Sequence, residues 1–172
     1  MAKIDSRNAA EAILEHKETL GHYEHKVFYV QEFVEKGGRD IRVLATDGEP
    51  VAAMVRSSDH WLTNAAKGAD TAEFELDEEA RDLVKRASEA VGGGLLGVDL
   101  MEVGEARSAS EGSSGEGTAP RDGDVEGYTV HEVNHTVEFK ALNEVATVDV
   151  PARVVDWLEE TAAAEADTEV RA

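Results

Sequence analysis

Tyr128-Thr-Val-His-Glu-Val-Asn134 decides the fold, because it can be read as a helix or as a strand with different chemistry in each case. Carried one residue further it contains His131-Glu-Val-Asn-His135, the H-E-x-x-H string of zinc hydrolases. That string works on a helix, where residues four apart share a face and the intervening Glu can act as a base. Thr129, Val130, Val133, Thr136 and Val137 are β-branched and favour an extended chain. In a strand His131 and His135 share a face but stand ~13 Å apart at ~3.3 Å per residue, too far for one zinc ion, and Glu132 points the other way. The strand reading is therefore preferred and the zinc-hydrolase reading set aside. Strict alternation then places Val130, Glu132 and Asn134 on one face.

Working outward, Gly127–Val133 is one buried strand and Leu95–Val103 another, with Asp99 standing among apolar residues in Gly97-Val-Asp-Leu-Met-Glu102. If the two strands pair as a hairpin, Asp99 can lie on the face that carries Glu132 and Asn134. Two carboxylates and an amide carbonyl are hard oxygen donors suited to a Mg²⁺ ion that also touches phosphates. The plainer alternative is that both acids are solvated or paired in salt bridges. Between the strands, Gly104–Glu126 is rich in Gly, Ser and Glu and nearly free of large apolar side chains. Such a segment cannot bury enough surface to offset its ordering entropy, and it reads as a disordered acidic insertion.

The remaining punctuation defines an α+β chain. Asp5 or Ser6 can cap a helix running to Leu20, with Ala9, Ala10, Ile13 and Leu14 on one face and Gly21 as its stop. Residues 27–34 read as a strand. Gly37-Gly38 turns the chain into a second strand over Ile41–Ala45, and Asp47-Gly48 is a hairpin signal before a third over Val51–Val55. Asp77-Glu78-Glu79 opens a helix whose buried stripe is Leu83, Val84, Ala87 and Val91, and Gly92-Gly93-Gly94 ends it. Pro151 sits in the first turn of a last amphipathic helix carrying Val154, Val155, Trp157 and Leu158, followed by an acidic, alanine-rich tail over 161–172 expected to fray.

Charge and composition narrow the class. Seventeen Lys and Arg against 37 Asp and Glu give a net charge of −20. Nucleic acid is a polyanion met by basic patches, and none is visible. There are no cysteines, which removes disulfides, thiolate metal sites and cysteine nucleophiles. No apolar run approaches the ~20 residues that cross a bilayer, and the start has no signal-peptide core, so a cytoplasmic protein without membrane attachment is expected. Periodic segments and 41% hydrophobic content speak for a folded chain, and its acidity for adaptation to high salt, where screening removes self-repulsion.

A resemblance runs through the chain in order. Gln31-Glu-Phe-Val-Glu-Lys-Gly-Gly-Arg-Asp-Ile-Arg42, Arg56-Ser-Ser-Asp-His-Trp-Leu-Thr-Asn64, Ala90-Val-Gly-Gly-Gly94, Gly97-Val-Asp99 and Glu132-Val-Asn-His-Thr-Val-Glu-Phe-Lys140 together resemble the C-terminal part of the ATP-grasp fold in the LysX/ArgX ligases, relatives of RimK. The similarity covers about residues 2–158, so that 1–160 is expected to be a partial ATP-grasp domain interrupted by the insertion at 104–126. The resemblance implies an ATP-dependent ligase that activates the C-terminal Glu of a LysW-type carrier protein as an acyl phosphate. That intermediate is then coupled to the α-amine of glutamate or α-aminoadipate, in arginine or lysine biosynthesis.

Residue by residue, the resemblance implies that Gln31, Glu32 and Phe33 form the adenine-contacting hinge and that Asp40, with Arg42 beside it, holds the ribose end of ATP. Asn64 matches a nucleotide-contacting turn. Arg56 and Lys67 match basic positions near the phosphates or acyl substrate, where they would stabilise developing negative charge. Asp99, Glu132 and Asn134 match the Mg²⁺ ligands, commonly of two ions. Glu138, Phe139, Lys140, Ala141 and Leu142 match the segment that meets the amino acid. The family commonly forms dimers or tetramers, which makes a homo-oligomer an expectation here.

The chain departs from the family pattern in two places. Met1 aligns with the middle of the family's chain, beyond its substrate domain, two ATP-binding lysines and glycine-rich phosphate loop. A chain of this extent acting alone is expected to bind ATP weakly and not to ligate, which leaves open a non-catalytic remnant that binds a partner. The pair Ala141-Leu142 is neither the Asn-Ser/Thr that accompanies α-aminoadipate nor the Gly-Phe/Tyr that accompanies glutamate, and it leans toward glutamate or dual use. The salt reading has its own test: the melting temperature should rise between low and molar salt, and a flat or falling response removes it.

Overall fold

β1 (Arg39–Thr46) and β2 (Glu49–Ser57) form the hairpin on which the rest of the sheet is built. The sheet of the computed structural model, which describes residues 2–19, 28–34, 37–58, 69–103 and 127–170, is antiparallel throughout its five strands. The strand order is β3-β2-β1-β4-β5, with β3 at Asp70–Glu73, β4 at Leu95–Val103 and β5 at Gly127–Asn134. The hairpin turn is Asp47-Gly48, with φ of 49° and 88°, the left-handed pair that a tight two-residue connection requires. β3 was not anticipated: Asp-Thr-Ala-Glu has no apolar alternation, and the strand exists through its backbone pairing to Met54–Ser57.

One face of the sheet is covered by α2 (Glu78–Val91). Asp77 accepts a hydrogen bond from the Ala80 N–H at 2.8 Å, and Gly92, at φ 94°, ends the helix in the left-handed region. Ala80 and Val84 pack against Ile41, Val43, Val98 and Leu100, with Leu83 and Ala87 at the margin. Val91 does not join the stripe; it is 55% exposed, in the last turn beside the Gly92 reversal. The opposite face is covered over part of its area by α3 (Lys140–Val145) and α4 (Val150–Val170), with Leu142, Val150 and Val154 against Leu44 and Met54.

Asp149 caps α4 through the Ala152 N–H at 3.0 Å, with Pro151 in the first turn as expected. Val155 and Leu158 face outward, and the helix continues past Ala162 through Val170. The short α3 was not foreseen. Thr147 binds the turn between these helices to Glu73 of β3, donating from N at 2.8 Å and from Oγ1 at 2.9 Å.

β5 departs from strict alternation. Asp99 pairs with Glu132 but Leu100 pairs with Val130, so His131 is the extra residue of a bulge. Val130 and Val133 therefore both pack against the α2-side core, and Val130 lies on the face opposite Glu132, correcting the expected alternation.

Residues 1–34 form a separate unit. Within it α1 (Arg7–Thr19) is capped by Ser6 Oγ, which accepts from the Ala9 N–H at 3.3 Å. Ala9, Ala10 and Ile13 are half-buried and Leu14 is exposed. Residues 28–34 have no regular secondary structure, in place of the strand expected over 27–34, and Tyr29 is 87% exposed. β-Favouring side chains do not make a strand without a ladder partner. Lys3 Nζ lies 3.5 Å from the Phe33 ring centroid. Leu20, Gly21, Val27 and the insertion at 104–126 lie outside the described residues. No described helix is long and apolar enough to cross a membrane.

Asp47 joins three elements. Its Oδ2 accepts from Trp157 Nε1 of α4 and its Oδ1 from the Gly94 N–H before β4, both at 2.7 Å. These bonds, Trp157 first, lower its pKa below the ordinary 3.8. The stabilisation is thus complete above the unfolded value and is lost as pH falls through the lower folded value. In a Trp61→Phe background, Trp157 emission should change in that acid range, and Asp47→Asn, which tolerates the left-handed turn, should flatten the change. An unaltered acid transition in the variant would refute the linkage.

Candidate functional site

Strand alternation splits the face shared with α3 and α4 into two zones. Toward the Asp47-Gly48 turn it presents Leu44, Met54 and Leu95, which the helices cover. Toward the other end the same face presents Asp40 and Arg42 of β1, Arg56 of β2, Asp99 of β4, and Glu132 and Asn134 of β5. Asp40 pairs with Arg56, Arg42 with Asp99, Asp99 with Glu132, and Gly97 with Asn134. Six of the expected site residues are thereby brought together by backbone register alone.

Their side chains form a charge-alternating chain. Arg56 donates from Nε to Asp40 Oδ1 at 2.6 Å and from Nη2 to Asp99 Oδ1 at 3.0 Å. Arg42 Nε lies 2.7 Å from the same Asp99 oxygen. Asp40 and Asp99 are each only 4% exposed. Burial pushes the Asp99 carboxyl above the ordinary carboxylate range; Arg56 and then Arg42 pull it back, while Asp40 and Glu132 add to the upward push. Glu132, across the ladder, is exposed and Asn134 half-buried.

Gly97, part of the Gly97-Val-Asp99 phrase, has a specific place here. A Cβ on it would fall 2.7 Å from Arg42 Nη1 and 3.5 Å from Val137 Cγ1. The guanidinium thus lies over the glycine, in the gap a side chain would fill. A glycine inside a buried strand is the signal for such an approach.

The donor set suits a hard divalent ion: two carboxylates opposite one another, with an amide oxygen one pleat along. Among the described residues no three His, Cys, Asp or Glu side chains cluster as ligands, so an ion here would rely on Asn134 and on oxygens of a bound nucleotide. The H-E-x-x-H string lies on β5 and in the bend after it, without the helix its zinc chemistry needs.

Other expected residues fall elsewhere. Glu138 and Lys140 are exposed, Phe139 and Ala141 half-buried, and Leu142 is wholly buried under Leu44 and Met54. Gln31, Glu32 and Phe33 belong to the first unit. Asn64 and Lys67 lie outside the described residues. On the α2 side, Arg39 forms a two-pronged ion pair with Glu102, its Nη2 reaching Oε1 at 2.6 Å; this pair the sequence reading did not single out.

The five-stranded antiparallel sheet with flanking helices is an ATP-grasp fold. The ATP-grasp ligase PsnB, solved with Mg, ADP and a phosphomimetic variant of its minimal precursor, superposes with a TM-score of 0.50 at 22% identity, over 77% of this chain and 34% of that one. The RimK-like ATP-grasp domain matches residues 4–119, and the chain belongs to that family. It is 33% identical over 141 residues to the alpha-aminoadipate–LysW ligase LysX of Saccharolobus solfataricus, covering 81% of this chain and 44% of that protein. It is 28% identical over 150 residues to the glutamate–LysW ligase ArgX of Sulfurisphaera tokodaii, covering 86% and 46%. The chain thus spans less than half the length of these relatives.

Arg56 donates to two buried carboxylates, Asp40 and Asp99. Arg56→Met removes the guanidinium the two acids share and should cost about 3–5 kcal/mol, the range for breaking a buried ion pair, read as a lower urea midpoint at unchanged slope. Arg56→Lys should recover part of it. A loss below about 1 kcal/mol would mean the acids are not held as an ion-paired unit.

Proposed function

We propose that the chain forms the metal- and phosphate-binding end of a ligase that joins the C-terminal Glu of a LysW-type carrier protein to the α-amine of glutamate or α-aminoadipate. One observation carries the reading: Asp99, Glu132 and Asn134 are set on one face by paired register, beside the Arg42 and Arg56 guanidiniums. The LysX and ArgX names of the relatives supply the substrate class.

In this reading Asp99, Glu132 and Asn134 hold Mg²⁺, which supplies neutralisation of phosphate charge during phosphoryl transfer. Arg56 keeps Asp99 ionised and oriented as a ligand, and its charge, with that of Lys67, favours the phosphate end and the developing acyl phosphate. Asp40 orients Arg56 from below, and with Arg42 it borders the ribose and phosphates of ATP. Gln31, Glu32 and Phe33 supply the adenine hinge, and Asn64 a further nucleotide contact.

Residues 138–142 border the amino acid. Leu142, fully buried, acts there by setting the position of α3, which leaves Glu138, Lys140 and the small Ala141 to meet the substrate. The amine attacks the acyl carbon, phosphate leaves, and the amine proton is lost to form the amide. Ala141-Leu142 favours glutamate or acceptance of both amino acids.

The product of the full reading frame containing these residues, given Mg²⁺, ATP, a LysW-type carrier and either amino acid, should add one aminoacyl unit to the carrier with release of ADP and phosphate. Intact-mass measurement reads the addition. Asp99→Asn should lower the rate by about a hundredfold or more, a loss of roughly 2.7 kcal/mol in transition-state stabilisation. Nucleotide turnover indifferent to the carrier, or undiminished in Asp99→Asn, would falsify the assignment.

A further inference from the structure

We propose that Arg42 is a built-in counter-ion of the metal site, occupying Asp99 while no divalent ion is bound and leaving it when one arrives. The inference rests on the reading of Asp99, Glu132 and Asn134 as metal ligands. The two arginines that meet Asp99 Oδ1 are not equivalent. Arg56 is anchored at both ends, to Asp40 and to Asp99, and its side chain is 10% exposed. Among the described residues Arg42 has its ion pair with Asp99 alone, and its side chain is 18% exposed. Arg56 is therefore the fixed partner and Arg42 the one whose departure breaks fewer contacts.

The position of the Arg42 head says what it stands in for. Its Nε is on Asp99, whose ladder partner is Glu132, and its Nη1 lies over Gly97, whose ladder partner is Asn134. The positive charge thus sits on Asp99 and over Gly97, the residues whose ladder partners are the other two donors assigned to the ion. Arg56 holds Asp99 from one side through a guanidinium that Asp40 also fixes, and Arg42 adds a second positive charge on the same oxygen. The gap over Gly97 is what lets a guanidinium lie there, and the length of the arginine side chain lets it swing away without moving β1. The cost is competition, because an ion must displace a resident charge, and metal binding in the absence of nucleotide is weakened accordingly.

The test is titration of the protein with Mn²⁺ alone, free ion being read by its paramagnetic resonance signal. Arg42→Gln should bind Mn²⁺ roughly tenfold tighter than the parent, a small fraction of the bare repulsion between a guanidinium and a divalent ion a few ångströms apart. Adding Asp99→Asn to that variant should abolish the gain. Gly97→Ala, which pushes the Arg42 head aside without removing its charge, should also tighten binding, and it serves if Arg42→Gln does not fold. Unchanged affinity in a folded Arg42→Gln or Gly97→Ala protein, with Asp99→Asn still weakening Mn²⁺ binding, overturns the counter-ion role and leaves the metal site standing. Tightened binding that survives Asp99→Asn overturns both.

Discussion

Two carboxylates, Asp40 and Asp99, are removed from water while most other acids among the described residues are solvated, and this constraint shapes one end of the sheet. A buried carboxylate needs a partner of opposite charge with good geometry, or it unfolds its surroundings or takes a proton. The answer here is an alternation across three adjacent strands: Asp40, Arg56, Asp99, Arg42. Each pairing demands a particular register, since slipping any strand by one residue would send its charged member into the core packed by α2. The polar chain and the two apolar clusters thus specify the same alignment. Of the three carboxylates on this face, Asp40, Asp99 and Glu132, Glu132 is the one left exposed to solvent.

Much of this was legible beforehand, for identifiable reasons. β4 reads as a nine-residue stretch that is apolar but for Asp99 and Glu102, the Asp47-Gly48 pair specifies a tight turn, and Asp77 and Gly92 bracket α2 with standard caps. All are local signals. That Asp99 could share a face with Glu132 was expected only if the two strands paired, and the register pairs them directly. The motif phrases supplied the family, which the matched domain over residues 4–119 bears out.

What was not legible depends on tertiary partners. β3 is a strand because β2 offers it a ladder, and nothing in Asp-Thr-Ala-Glu announces that. Residues 28–34 show the converse: strong β-formers with no ladder stay irregular. The bulge at His131 cannot be seen from alternation, since Thr129 to Asn134 fits an uninterrupted strand equally well. Yet it reconciles two demands, letting Val130 and Val133 both reach the core while Glu132 stays opposite Asp99. Without it, one of the valines would face the charged end. Val91, Val155 and Leu158 illustrate a further limit: helical periodicity identifies an apolar face, but which of its turns is covered depends on where the neighbouring layer ends.

The division between buried and exposed charge also governs how such an acidic protein responds to its medium. Exposed pairs such as Arg86 with Asp82 and Arg7 with Glu11 sit in high dielectric, contribute little, and fade as salt shortens the Debye length. The Asp40–Arg56–Asp99–Arg42 chain is shielded from mobile ions by the sheet beneath it and by its own close contacts, so screening reaches it weakly. Rising salt therefore relieves the repulsion among surface acids while leaving the charged end of the sheet intact. The apolar clusters gain if the salt strengthens burial. A net charge of −20 and a pre-paired polar interior are compatible for this reason: the first is adjustable by the solvent, and the second is set by strand register.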